Sequence, residues 1–177
     1  MKNLLTIVCL VLLAATVAQA VESKFIPTNA PACIELNDQF DAPQKLSFPT
    51  TNITFLTIAD HKGSEQIAGW VAPVKQRFGS RVDIRGIADV SPVPRFMHGI
   101  IRKQFQKAQA YPVMLDWSGD AVKAFTYEED KANVLVLDGH GRILKRLAGA
   151  ADETSVRELC AVLKAALTEQ ADKAGRK

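Results

Sequence analysis

The chain has 177 residues, with 22 Lys and Arg against 19 Asp and Glu and a formal net charge of +3. Such a near-balanced charge gives no reason to expect nucleic acid or an anionic membrane as a partner. The length suits one domain with a single core.

The first twenty residues, "MKNLLTIVCLVLLAATVAQA", carry one lysine near the start, an apolar run from Leu4 and an A-x-A site at Ala18-Gln19-Ala20. This is the pattern of a signal peptide, and its apolar run is shorter than the roughly 20 residues that span a bilayer. An exported protein is expected, periplasmic in a Gram-negative cell and otherwise secreted, with no membrane insertion after cleavage. Cys9 leaves with the peptide. Cys33 and Cys160 remain in an oxidising compartment, and a disulfide between them is one reading. The other is a buried Cys160 in the apolar stripe of the last helix.

Residues 21–31, with Pro27 and Pro31, read as an extended leader. "CIELNDQFDAPQKLSF" gives two short runs around Asp41-Ala42-Pro43, an N-terminal β-hairpin or two edge strands. "NITFLTIAD" is apolar almost throughout from Ile53 to Ala59, the mark of a central strand covered on both faces. A helix is predicted from Ser64, its N-cap, to Phe78, with Ile67, Trp70, Val71, Val74 and Phe78 on one side and a kink at Pro73. "RVDIRGIADVS" is a second strand whose Ile87-Ala88-Asp89 repeats Ile58-Ala59-Asp60. Parallel pairing of the two would bring Asp60 and Asp89 to the same sheet edge.

Pro92 and Pro94 open a helix in which Phe96, Met97, Ile100, Ile101 and Phe105 are expected to pack inward. Its Arg95, His98, Arg102, Lys103 and Lys107 read as a solvated face. "YPVMLDW" is a short strand, and "SGDAVKAF" one or two helical turns capped by Ser118 or Asp120. "NVLVLDGHGRILKRLAG" is a hairpin turning at Asp138–Gly141. The final helix runs from Asp152 to about Ala171, and residues 172–177 form a frayed tail. The domain thus covers residues 32–171. Parallel strands linked by helices, then an antiparallel hairpin and a closing helix, give an α/β fold with a mixed central sheet and helices on both faces.

This order resembles the thioredoxin-like superfamily, in particular the peroxiredoxin branch and the exported thiol-disulfide oxidoreductases. The resemblance rests on "IELNDQFDAPQKL", "FLTIAD" with its helix, "YPVMLDWSGDAVKAF", the D-x-x-G-x-I hairpin and the place of Pro73. It implies a redox centre in "ADHKGSEQIAGWVAP", where the sulfur is missing. Counted back from Pro73, the two positions of C-x-x-C fall on Glu65 and Ala68. Against the peroxiredoxin C-P-T-E pattern, the peroxidatic cysteine falls on Lys62. The cis-proline of the family would fall near Ala132 or Asn133, where there is no proline. Without a thiolate neither a disulfide nor a sulfenic acid can form at the turn.

Asp60, His61, Lys62, Ser64, Glu65 and Asp89 are the candidate binding residues. One reading is an anion held by Ser64, Lys62 and helix N–H groups; another is a metal on Asp60, His61 and Asp89. The plainest is a wet turn lined by charged residues. No H-E-x-x-H or similar spacing is present, and no metal or other cofactor is expected. The functional expectation is an exported redoxin-like domain without catalytic residues, serving a protein partner or a small polar ligand. The alternative is a thiol-dependent oxidoreductase or peroxidase using Cys33, alone or with Cys160. A structural subunit of an envelope assembly is a third possibility.

Overall fold

A computed structural model describes residues 28–175. The expected signal peptide, most of the expected leader and the last two residues lie outside them. Of the leader, residues 28–30 are extended and pair with the last hairpin: Ala30 N–H donates to Gly141 O at 2.8 Å and Ile143 N–H to Thr28 O at 2.8 Å.

β1 (Cys33–Asn37) and β2 (Pro43–Ser47) form an antiparallel hairpin. The main sheet contains β3 (Ile53–Ala59), β4 (Val82–Asp89), β5 (Met114–Asp116), β6 (Asn133–Leu137) and β7 (Ile143–Ala148) in the order β5-β4-β3-β6-β7. β3, β4 and β5 are parallel, while β6 runs antiparallel to β3 and to β7. Every residue of β3 is buried, as its unbroken apolar run predicts for a strand covered on both faces.

Alternation along β3 assigns the two faces. Ile53 and Phe55 pack with Trp70, Val74, Leu159 and Leu163, from α2 (Ile67–Phe78) and α5 (Glu153–Ala174). Leu56 and Ile58 pack with Ile34, Leu46, Val122 and Phe125, from the hairpin, from α4 (Asp120–Ala124) and from just beyond it. The expected α/β architecture, with a mixed sheet, helices on both faces and an N-terminal hairpin, is the one observed.

Three local expectations are corrected. The helix expected from Ser64 is split: a single turn, α1 (His61–Ser64), follows β3 directly, capped by Asp60, and α2 begins at Ile67. Pro73 lies inside α2 as expected, and the break between the two helical pieces falls at Glu65-Gln66. In α3 (His98–Ala108) and the turn before it, Phe96 and Ile100 are exposed, and only Ile101 and Phe105 of the expected inward set pack against buried Ala88, Val90 and Leu115. Finally, the start of α4 is held by more than the expected cap: Gly119 takes the N-cap position, Ser118 Oγ accepts the Asp120 N–H at 3.2 Å, and Asp120 is the first helical residue. The buried Asp116 carboxylate holds the Gly119 and Val122 N–H groups at 2.9 and 3.0 Å, reaching across the turn from the end of β5.

Candidate functional site

β3 and β4 are parallel with Ala59 opposite Ala88, so Asp60 and Asp89 emerge at the same edge of the sheet. Asp60 has extended backbone and caps α1, its Oδ1 accepting the Gly63 N–H at 2.8 Å. Its Oδ2 accepts the Asp130 N–H at 2.6 Å, from the loop that precedes β6. That loop is fastened at several points. Gln66 donates to Asp130 O at 3.2 Å and accepts from Ala132 N–H at 3.2 Å, while the buried Asn133 side chain accepts from Glu128 N–H at 2.8 Å. These contacts hold Asp130 at φ 61, a left-handed conformation that a non-glycine residue rarely adopts.

Gly63 makes the junction possible. A Cβ there would stand 2.3 Å from Lys131 O, so the backbone of α1 lies directly against the Lys131-Ala132 backbone. The place where the resemblance implies a cis-proline is therefore filled by buried Ala132, in contact with the first turn of the helix.

Each candidate side chain has a definite place. Lys62 is exposed and its Nζ pairs with Asp130 at 2.8 Å. This contact raises the pKa of the ammonium above the ordinary lysine value, through the hydrogen bond first and the charge of Asp130 second. Ser64 donates its hydroxyl to His61 O at 2.6 Å, closing the turn of α1. Glu65 is exposed at the end of that turn. Asp89 accepts the Ser91 hydroxyl at 2.7 Å and the Tyr127 hydroxyl at 2.5 Å. Burial, then the hydrogen bond to Asp89, then the charges of Asp89 and Asp60 push the Tyr127 phenol well above the ordinary tyrosine value.

Asp60, His61, Ser64 and Asp89 all line one cleft of about 420 Å³. Lys62 and Glu65 do not line it. The anion reading loses its donors: the Gly63 N–H is taken by Asp60, Lys62 by Asp130, and α1 is four residues long. Among the described residues no three His, Cys, Asp or Glu side chains gather in a way that could hold a metal ion. Asp60, His61 and Asp89 therefore do not form the ligand set considered from sequence.

Among the described residues Cys33 and Cys160 are both free thiols, Cys33 exposed and Cys160 buried. Cys33 is on the hairpin, whose Ile34 and Leu46 pack on one face of the sheet, and Cys160 belongs to the core on the other. The sheet stands between them, which corrects the reading of a Cys33–Cys160 disulfide. Cys33 Sγ lies 3.6 Å from Glu35 Oε1, and Glu35 pairs with Lys45 at 2.5 Å.

Tyr127, Asp130, Gln66 and Gly63 are contributors that sequence reasoning did not single out. Tyr127 reaches Asp89 across a separation of 38 residues, and no local pattern records such a contact.

No protein-family model matches the chain, and no curated protein matches it in sequence. Solved structures do match it in shape. A candidate thiol:disulfide interchange protein, DsbE, from Chlorobium tepidum is 14% identical with a TM-score of 0.61, over 81% of this chain and 99% of its own. The exposed lipoprotein thioredoxin Etrx1 of Streptococcus pneumoniae is 15% identical with a TM-score of 0.58, over 72% of this chain and 97% of its own. Peroxidoxin BcpB of Mycobacterium tuberculosis is 18% identical with a TM-score of 0.58, over 80% of this chain and 98% of its own. The strand order, the hairpin on one face and these neighbours agree: the chain has a thioredoxin-like fold.

Proposed function

We propose that this protein is an exported thioredoxin-fold binding protein that carries out no thiol chemistry at the turn after its central strand. One observation carries the reading. The residues that follow β3 are Asp60-His61-Lys62-Gly63-Ser64-Glu65, without a cysteine, and the side chains of Asp60, Lys62 and Ser64 are engaged within the turn and with the 126–131 loop. Disulfide exchange and peroxide reduction by this fold's chemistry need a thiolate, and none can form there. The signal-peptide pattern of residues 1–20 supports export.

A second reading draws on Cys33, an exposed free thiol beside the Glu35–Lys45 ion pair. In that reading the protein is a thiol-dependent reductase or peroxidase with its sulfur moved to the hairpin.

One set of assays separates the two. Dithiol-driven disulfide reduction and thiol-dependent peroxide reduction are measured on the purified protein and on Cys33→Ser. The binding reading expects no turnover in either. Turnover that Cys33→Ser abolishes overturns it in favour of the second. N-terminal sequencing of protein recovered from the cell envelope or medium should begin at Val21, and an uncleaved Met1 would refute export by this route.

A further inference from the structure

α3 is seated on the sheet by one side only. Ile101 and Phe105 pack against Ala88, Val90 and Leu115, and the His98 ring stacks on Trp117 with centroids 3.8 Å apart. The opposite side begins with Phe96 in the 3₁₀ turn Arg95–Met97 and continues through Ile100, Lys103 and Lys107 of the helix. Spacings of four, three and four residues align these side chains in one outward stripe. Phe96 is the most exposed large apolar side chain among the described residues, and Ile100 is the next.

The near balance of charge over the whole chain hides a local imbalance here. From Ser91 to Leu115 there is no aspartate or glutamate, while Arg95, Arg102, Lys103 and Lys107 all fall in that stretch. Arg102 is met by Asp41 of the hairpin turn at 3.2 Å. Arg95, Lys103 and Lys107 have no ion pair among the described residues. Exposed lysines elsewhere are treated differently: Lys45, Lys62, Lys131 and Lys173 each stand against a carboxylate. The stripe thus joins uncovered apolar surface to uncompensated positive charge.

Shape narrows the kind of partner. Neither Phe96 nor Ile100 lines the cleft beside the same helix, and a Cβ at Gly99, next to Ile100, would meet nothing within 4 Å. The two apolar side chains therefore project from a convex surface instead of framing a recess. A protein partner would have to supply a fitted pocket for the ring. The headgroup region of a bilayer takes a projecting aromatic or aliphatic side chain without one, and it sets phosphates at the level of the flanking cations. No helix among the described residues is long and apolar enough to cross a membrane, so such a contact is peripheral.

From this juxtaposition we infer that the outer stripe of α3 docks the protein on an anionic bilayer surface, with Phe96 and Ile100 entering the headgroup region and Lys103 and Lys107 meeting lipid phosphates. Arg95, exposed beside Phe96, adds to the same attraction. The stripe shares no residue with the turn after β3, so the inference stands apart from the reading of that turn.

The test sediments protein beginning at Val21, so that the apolar run of residues 1–20 cannot itself take up lipid, with sucrose-loaded vesicles. One set is phosphatidylcholine alone and the other contains about one-third phosphatidylglycerol, both in about 0.1 M NaCl, where charges still act over about 10 Å. Partition onto the anionic vesicles should be greater by about tenfold or more, and about 0.5 M NaCl should bring the two within about threefold. Lys103→Gln with Lys107→Gln, and separately Phe96→Ser with Ile100→Ser, should each lower anionic partition by about tenfold. All four side chains are exposed, so these variants keep the fold. Lys75→Gln with Arg77→Gln removes the same charge from exposed positions of α2 and should change partition by less than about twofold. Equal partition onto both vesicles, a loss from the α2 pair as large as from the α3 pair, or a serine variant that binds as well as the parent would each overturn the inference. So would retention on immobilised polyglutamate through Lys103 and Lys107 without sedimentation on anionic vesicles, which would assign the stripe to an acidic polypeptide.

Discussion

One face of one sheet is covered in two different ways. Under α2 and α5, Phe55, Trp70, Val74, Leu159 and Leu163 are almost wholly excluded from water, and the Trp70 indole N–H is met by Gly149 O at 2.8 Å. Under α3 no helix residue is fully buried, Phe96 is 84% exposed and Ile100 54%, and the cleft opens beside Ile101 and Phe105. The first half is dry and closely packed, so its side chains carry stability. The second leaves apolar surface uncovered at about 25 cal/mol per Å², a cost that a ligand could recover.

The sharpest way to break this contrast is to truncate one residue in each half and compare urea denaturation. Leu163→Ala should cost about 3 kcal/mol, because a fully buried leucine leaves a cavity that the α2–α5 contact cannot close. Ile101→Ala should cost about 1 kcal/mol, since much of its surface already faces the cleft. Equal losses would mean that the α3 half is as closed as the other.

Gly63→Ala tests the junction on the closed side, where α1 meets the 126–131 loop. The added methyl would sit 2.3 Å from Lys131 O, a backbone atom that α1 and β6 hold in place. Either α1 or the loop must move, at a cost of about 2 kcal/mol. The loss should come with amide shifts confined to residues near Asp60, Asp130 and Ala132. A variant as stable as the parent would show that the junction is loose.

The closed half was largely legible in the sequence, and the open half was not. The apolar run of β3, the stripe of α5 and the β6–β7 turn are patterns of nearest neighbours, and each produced the element it predicted. Repetition of Ile-Ala-Asp at 58–60 and 87–89 also placed the two carboxylates at one edge, because parallel register needs only the strands. The α3 error has the same origin in reverse. Helical spacing grouped Phe96 and Ile100 with the buried stripe, but spacing records which residues share a face and not whether another layer covers it. The cleft depends on how far apart α2 and α3 settle on the sheet, and Tyr127, Gln66 and Asp130 reach the site through contacts 38 to 70 residues apart.

Tyr127 offers a smaller probe of the polar end. Its phenol is held in the neutral form by burial, by the bond to Asp89 and by the charges of Asp89 and Asp60, so its folded pKa lies above the ordinary value of 10.0. Above pH 10 the unfolded chain therefore releases this proton first, and stability falls as pH rises further; below the ordinary value the contribution is fully present. Tyr127→Phe should lose about 1 kcal/mol at pH 7, with the hydrogen bond, and should show a flatter alkaline limb than the parent in denaturation curves from pH 8 to about 11. Parallel limbs would mean that Asp89 does not hold the phenol in solution.

Lys62→Ala should have the smallest effect, although it removes the residue that stands where the peroxiredoxin pattern has its sulfur. The Lys62–Asp130 pair is 74% and 60% exposed at its two side chains, so water and salt screen most of its attraction. Asp130 keeps its other anchors, its N–H on Asp60 at 2.6 Å and its carbonyl on Gln66 at 3.2 Å. Thermal unfolding should stay within about 2 °C of the parent, with the difference vanishing in about 0.5 M NaCl. A much larger shift would mean that the ammonium supports the loop beyond its one visible partner. A small one would leave Lys62 as a solvated residue on a turn whose structure is carried by Asp60, Gly63 and Gln66, while the open side of the molecule lies beside it in the cleft.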